Sequence, residues 1–227
     1  MAELRAIVFD LDETLADRTR TRDRFVELWI QHYWAGRVHD PEQLHEVFCR
    51  LDNNGYRAKD ELYHMLVDEL SWTDPPTEAE HSKFWQEHFP KMAEPMDNLH
   101  NTLDYFLRQG LKIGLITNGR ERVQRAKIDT LAIGRYFHAA LISGAVGVKK
   151  PDGAIFSQCL KALEIAPEEA WYVGDHPLND VRGSADAGMT PIWLSQGAAW
   201  NEEYTVKPAH TVHSLQELVR LYESLHG

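Results

Sequence analysis

Cysteine is scarce in this chain. Cys49 and Cys159 are the only two in 227 residues. Two distant thiols make no disulfide framework, and a reducing, cytoplasmic setting is the expectation. Long apolar runs are missing too. None approaches the roughly 20 residues of a membrane helix, so a membrane is not an expected partner. The opening MAELRAIVFD lacks the apolar core of about 7–15 residues that marks a signal peptide, and it reads as a strand. Positive charge is in deficit: 24 Lys and Arg against 35 Asp and Glu give a formal net charge of −11. Such a surface repels nucleic-acid backbone, so nucleic acid is not an expected partner either. It also repels small anions at long range, so any phosphate site must be built locally, from a metal, a lysine or backbone amides.

What is present is ordinary for a globular protein, with 43% apolar and 26% charged residues. The length suits one α/β domain of about 140 residues with an insert. A chain of this size buries about 70% of its unfolded surface and needs no staples. The run AIVF at residues 6–9 is short, continuous and apolar. From about residue 20 to 89 the pattern turns helical. Phe25, Leu28, Trp29, His32 and Tyr33 share one face; Leu44, Val47, Phe48 and Leu51 share another. Leu62, Met65, Leu66 and Leu70 form a third stripe, and Phe84, Trp85, His88 and Phe89 a fourth. Asp40-Pro41 reads as an N-cap with a first-turn proline, and Asn53-Asn54-Gly55 as a turn.

Beyond Pro95 the pattern alternates. Helices are predicted over residues 98–109, 120–131, 154–163, 179–187 and 214–225. Strands are predicted over 112–117, 139–143, 170–173, 191–194 and 210–212. Apolar strands separated by helices mean a parallel sheet covered on both faces. The fold expected is α/β: a Rossmann-like parallel core from residues 1–15 and 93–227, interrupted by a helical insert over 16–92. No internal repeat and no low-complexity segment occurs.

Four apolar runs lead into unusual polar residues. The first is followed by Asp10-Leu11-Asp12-Glu13-Thr14, and the second ends in Thr117-Asn118-Gly119. The loop after the third contains Lys150-Pro151, and the fourth ends in Gly174-Asp175, with Asp180 five residues on. In an open parallel sheet, ligands bind beyond the carboxyl ends of the strands. Asp10 and Asp12 face the same side of an extended chain. Alone, such a pair is also what a solvated turn looks like, Thr117 alone a helix N-cap, and Lys150 alone a loop lysine. With Asp175 nearby, three carboxylates crowd one spot and repel unless a cation intervenes. Mg²⁺ suits oxygen ligands of this kind and accepts a phosphate oxygen as well. Thr117 and Asn118 offer donors to that phosphate, and Lys150 a positive charge.

Taken together, D-x-D-x-T, a strand ending in Thr-Asn, Lys-Pro and G-D-x-x-x-x-D resemble the signature of the haloacid dehalogenase-like hydrolase superfamily, in order and over nearly the whole chain. The insert looks like the family's small four-helix cap. The resemblance implies that the first strand is central, flanked by the second and fourth. It implies a catalytic set of Asp10, Asp12 and Lys150, with Asp10 as nucleophile forming an aspartyl-phosphate and Asp12 as general acid and base. Thr117, Asn118 and Lys150 would bind the phosphoryl group. Asp10, the Asp12 carbonyl and Asp175 would hold Mg²⁺, with Asp180 behind them. The activity implied is Mg²⁺-dependent hydrolysis of a small phosphorylated metabolite, by a monomer or homodimer. Nucleoside monophosphates, sugar phosphates, phosphoglycolate and flavin mononucleotide all suit this branch.

Two departures stand out. Gly144 occupies a position where relatives often carry an acid, and His176-Pro177 stand where small polar residues are commoner. His176 is expected to cap its loop rather than touch a leaving group. The arginines 18, 20, 22 and 24 are expected to be solvated or paired with Asp17, Asp23 and Glu27. A 2-haloacid dehalogenase uses the same nucleophile on carbon without metal, but lacks an acid two residues on, where Asp12 stands here. A phosphomutase usually differs near Thr14 and in its cap. An idle binding protein on this fold would have lost a motif residue, and none is lost.

Overall fold

The computed structural model describes residues 3–37, 40–55 and 57–226. Met1 and Ala2, part of the opening run read as strand, lie outside them. The chain divides into two compact units, Met1–Ala16 with Pro95–Gly227, and Asp17–Glu94. Strands β1 (Ala6–Phe9) and β2 (Ala16–Asp17) lead into helices α1 (Arg18–Trp34), α2 (Pro41–Asp52), α3 (Lys59–Glu69) and α4 (Glu78–His88). Then come β3 (Glu94–Pro95), α5 (Leu99–Arg108), β4 (Lys112–Thr117), α6 (Glu121–Thr130), β5 (Ala139–Ile142), α7 (Ser143–Val146) and α8 (Gly153–Leu163). The chain continues with β6 (Ala170–Gly174), α9 (Gly183–Asp186), β7 (Thr190–Leu194), β8 (His210–Val212) and α10 (Leu215–His226). No helix among the described residues is long and apolar enough to cross a membrane.

The larger unit is a six-stranded sheet in the order β5-β4-β1-β6-β7-β8, parallel throughout. This is the Rossmann-like α/β core, with β1 between β4 and β6. All four β1 side chains are fully buried, because both faces of the sheet are covered. Ala6 and Val8 join Ile155, Phe156, Cys159 and Leu163 of α8 in one cluster. On the other face the Phe9 ring lies 6.5 Å from that of Phe106 in α5. Full burial of Ile7, Val8 and Phe9 stabilises the fold by about 1.5–3 kcal/mol each.

The smaller unit is helical, and its ends are set by local chemistry. Asp17 caps α1 by accepting from Arg20 N. Asp40 caps α2 from Glu42 N and Gln43 N, with Pro41 in the first turn, as its sequence predicts. Thr77 and Glu80 form a reciprocal capping box on α4. The core is aromatic, with Phe25, Trp29, Phe48, Trp72, Phe84 and Phe89 packed together. Arg20 and Arg22 pair with Asp17 and Asp23, as expected. Arg18 instead turns inward to a buried pair with Asp52 at 2.8 Å, and Arg24 meets Glu94. Neither partner lies near its arginine in sequence, so charge spacing along the chain gave no sign of them.

Two stretches differ from expectation, and the first is Ser143, predicted to end a strand, which opens the short helix α7. The segment predicted over 179–187 begins at Pro177 with a wide turn through Arg182 and only then tightens into α9. His176 caps the start, its Nδ1 accepting from Leu178 N and Asn179 N at 3.1 Å each. Proline in the first turn and this side-chain cap fix an early start that periodicity does not reveal.

Candidate active site

Three adjacent strands carry the polar residues to one end of the sheet. Thr117 closes β4, Asp10 follows β1, and Asp175 follows β6. Because β4, β1 and β6 are parallel neighbours, residues separated by more than a hundred positions arrive side by side. Asp10 N still belongs to the sheet and donates to Val173 O. Beyond it the chain folds back on Leu11 O, which accepts from the backbone N–H groups of Thr14, Leu15 and Ala16.

Lys150 organises the buried side of the site. Its Nζ donates to Asp10 Oδ1 at 2.6 Å, Asp180 Oδ1 at 2.6 Å and Tyr172 Oη at 2.8 Å. Only 3% of Lys150 and 1% of Asp180 is exposed, so these are charge-assisted bonds out of water. Burial works against the ammonium, but Asp10 and Asp180 outweigh it and hold Lys150 above the ordinary lysine range. Asp180 is held from three sides. Its Oδ1 also accepts from Tyr172 Oη, and its Oδ2 from His176 N. Asn118 acts on the backbone of the same loop: its Oδ1 accepts from Lys150 N and its Nδ2 donates to Lys150 O. In this arrangement the amide staples the lysine in place.

Asp12 points to a different cation. Lys127 Nζ lies 2.6 and 2.8 Å from its two oxygens, and Gln124 Nε2 donates to Oδ2 at 3.0 Å. Gln124 also donates to Thr117 Oγ1 at 2.6 Å, tying motif one to motif two. Sequence reading passed over Gln124, Lys127 and Tyr172. The signal for the first two is their place on α6: they are buried beside Val123 and Ile128, polar residues on an apolar face.

The carboxylates outnumber the cations on the buried side. Oxygens of Asp10, Asp175 and Asp180 lie within 4.8 Å of one another. Three carboxylates against the single Lys150 ammonium leave two negative charges. Desolvation, with Asp180 and Asp12 adding to it, raises Asp10 to about 7 despite Lys150. Desolvation, then the charges of Asp180 and Asp10, pushes Asp175 well above the carboxylate range. A hard divalent cation answers both the excess charge and the all-oxygen donor set, so the residues fit Mg²⁺.

Two glycines are fixed by close approach. A Cβ on Gly174 would meet Asp180 Cγ at 2.4 Å, so only glycine lets that carboxylate lie over the strand end. A Cβ on Gly144 would sit 2.7 Å from Gly119 O. Gly144 N donates to that oxygen, and Gly119 N donates to Ser143 Oγ. The loop after β4 thus rests directly on the backbone that an acidic side chain would crowd, which accounts for glycine at this position.

The profile of the haloacid dehalogenase-like hydrolases matches residues 7–194. The chain belongs to this family. Glyceraldehyde 3-phosphate phosphatase of Pyrococcus furiosus is 30% identical over 100% of this chain and 96% of its own length. Phosphoserine phosphatase of Thermus thermophilus is 40% identical over 49% of this chain, and the match spans only 44% of that protein. Among solved structures, the magnesium-bound HAD-hydrolase YfnB of Bacillus subtilis superposes with a TM-score of 0.79 over 100% of both chains at 18% identity, a likeness of fold.

Proposed function

We propose that this hydrolase is a Mg²⁺-dependent phosphomonoesterase that acts on a small phosphorylated metabolite through an aspartyl-phosphate. The observation that carries the reading is the charge of the buried cluster: Asp10, Asp175 and Asp180 against Lys150 alone. Asp10 and Asp175 with the Asp12 carbonyl would hold Mg²⁺, which supplies positive charge to the phosphoryl oxygens. Asp10 attacks phosphorus in line, forming the acyl-phosphate bond as the bond to the leaving oxygen breaks. Asp12 gives that oxygen its proton. It then takes a proton from the water that attacks the phospho-enzyme, releasing phosphate and restoring Asp10. Lys150 steadies Asp10 and neutralises a phosphoryl oxygen; Thr117 and Asn118 line the same end. Asp180 works at one remove, through Lys150.

Phosphoserine and glyceraldehyde 3-phosphate, the substrates named for two relatives, are both phosphates of primary alcohols. An alkoxide of that kind leaves poorly without a proton. Asp12 answers this need, and a dehalogenase, which expels halide, has no use for it. The helical unit, inserted directly after the nucleophile loop in the chain, is proposed to set substrate choice. Two free thiols suit a cytoplasmic enzyme.

Phosphate release from p-nitrophenyl phosphate and a panel of primary alkyl phosphates, measured with Mg²⁺ and with chelator, tests the reading. Turnover that needs Mg²⁺ and disappears in Asp10→Asn is expected. Full activity in excess chelator, or halide release from 2-chloropropionate, would overturn it.

A further inference from the structure

Among the described residues two groups of metal-capable side chains converge, and the second is unrelated to the site above: Asp23, His45 and Cys49 in the helical unit. His45 and Cys49 stand four apart on α2 and so share a face. Asp23 comes from α1. His45 Nε2 lies 3.5 Å from Asp23 Oδ1, Cys49 Sγ 3.7 Å from the same oxygen, and Cys49 Sγ 3.9 Å from His45 Nε2. The nitrogen–oxygen distance is too long for a good hydrogen bond. Zinc bonded to nitrogen, oxygen and sulfur at ordinary lengths in a tetrahedron sets those atoms about 3.3–3.6 Å apart. The three donor atoms stand within a few tenths of an ångström of that triangle, and because Cys49 Sγ is also 3.7 Å from His45 Nδ1, a turn of the imidazole aims the Nε2 lone pair at a shared ion.

We propose that Asp23, His45 and Cys49 form a binding site for a borderline divalent cation of the zinc class, three protein ligands with the fourth position left to water. The donor set decides the class. A thiolate and an imidazole select Zn²⁺ or Co²⁺, whereas the all-oxygen cluster around Asp10 selects Mg²⁺. Arg22 donates to Asp23 Oδ1 from Nε at 3.1 Å and Nη2 at 2.9 Å. Both bonds fall on the oxygen that faces His45 and Cys49, so a bound ion displaces one of them or takes Oδ2 instead. They also put a positive charge beside the site, so its affinity is below that of a four-ligand structural zinc. A bound ion cross-links α1 to α2 and stabilises the helical unit by mass action.

Cobalt is the probe, because its spectrum reports thiolate ligation independently of activity. The full chain, stripped of transition metals and held in excess Mg²⁺, is titrated with Co²⁺. One equivalent should produce a thiolate-to-cobalt charge-transfer band with intense tetrahedral d–d bands, and Zn²⁺ should abolish both. The charge-transfer band should vanish in Cys49→Ser, the whole tetrahedral spectrum should weaken in His45→Gln, and both should persist in Asp175→Asn. Zn²⁺ should raise Tm in the wild type and not in His45→Gln. Absence of the band at stoichiometric cobalt, or its survival in both Cys49→Ser and His45→Gln, would overturn the proposal. Should Cys49→Ser fail to fold, His45→Gln decides alone.

Discussion

Protonation of His81 should loosen the helical unit as the pH falls from about 6.5 towards 4. The ring is 3% exposed and lies among the rings of Trp29, Tyr33, Tyr63 and Trp72. Trp29 Nε1 donates to His81 Nε2 at 3.0 Å. An indole N–H can only donate, so that imidazole nitrogen must be unprotonated. Burial first, and the charge of Lys59 second, lower His81 from 6.5 to about 4. The unfolded chain therefore binds the proton more readily than the folded one. Stability is complete above pH 6.5 and is lost as pH falls towards the folded value. Linkage gives a loss of about 1.4 kcal/mol at pH 5.5 and about 2.6 kcal/mol at pH 4.5. His81→Gln keeps an acceptor for Trp29 and cannot titrate. Denaturant unfolding followed by tryptophan fluorescence suits the comparison, since four of the seven tryptophans lie in this unit. The wild type should fall away from the variant by these amounts over this window. Parallel pH profiles for the two proteins would refute the assignment of a neutral, buried His81.

Asp10→Asn should abolish turnover and leave no trappable phospho-enzyme while unfolding like the wild type. Near-normal phosphate release would exclude a covalent route through Asp10. Asp12→Asn should cost about 10²–10⁴-fold in kcat on a primary alkyl phosphate and far less on an aryl phosphate, whose phenolate needs little protonation; an equal loss on both would remove Asp12 from acid catalysis. Lys127→Met removes the cation that orients Asp12 and should show the same preference for aryl over alkyl substrates at smaller size, with KM little changed. Lys150→Met strands buried Asp10 and Asp180 without a cation and should destabilise the core by about 3–5 kcal/mol, read as a lower denaturation midpoint. An unchanged midpoint would mean that the pair is not held as the geometry implies.

The Rossmann-like core was legible because its signals are local. AIVF running into Asp10, and AWYV into Gly174-Asp175, mark strand ends whatever lies elsewhere. The order of β4, β1 and β6 came from family resemblance, since nothing in four apolar residues states which strands flank them. The contacts that local sequence does not signal act across the chain. Lys127 reaches Asp12 over 115 positions, and Tyr172 bonds Lys150 from inside a strand that reads as ordinary core. Asn118 was expected to face the phosphate, and its amide is engaged with the Lys150 backbone. A side-chain amide serves either purpose, and only the approach of the 150 loop distinguishes them.

The central place of β1 also matters during synthesis. Ala6–Phe9 leaves the ribosome with both edges bare, and its partners at Lys112–Thr117 and Ala170–Gly174 follow about 100 and 160 residues later. At about 5–20 residues per second, the first neighbour arrives roughly 5–20 s after β1 itself. Throughout that interval an apolar ribbon is open to pairing with any other chain. The segment made next, Asp17–Glu94, is the compact helical unit. Its four helices draw on neighbours in sequence and can close early, while the rest of the sheet is still being translated.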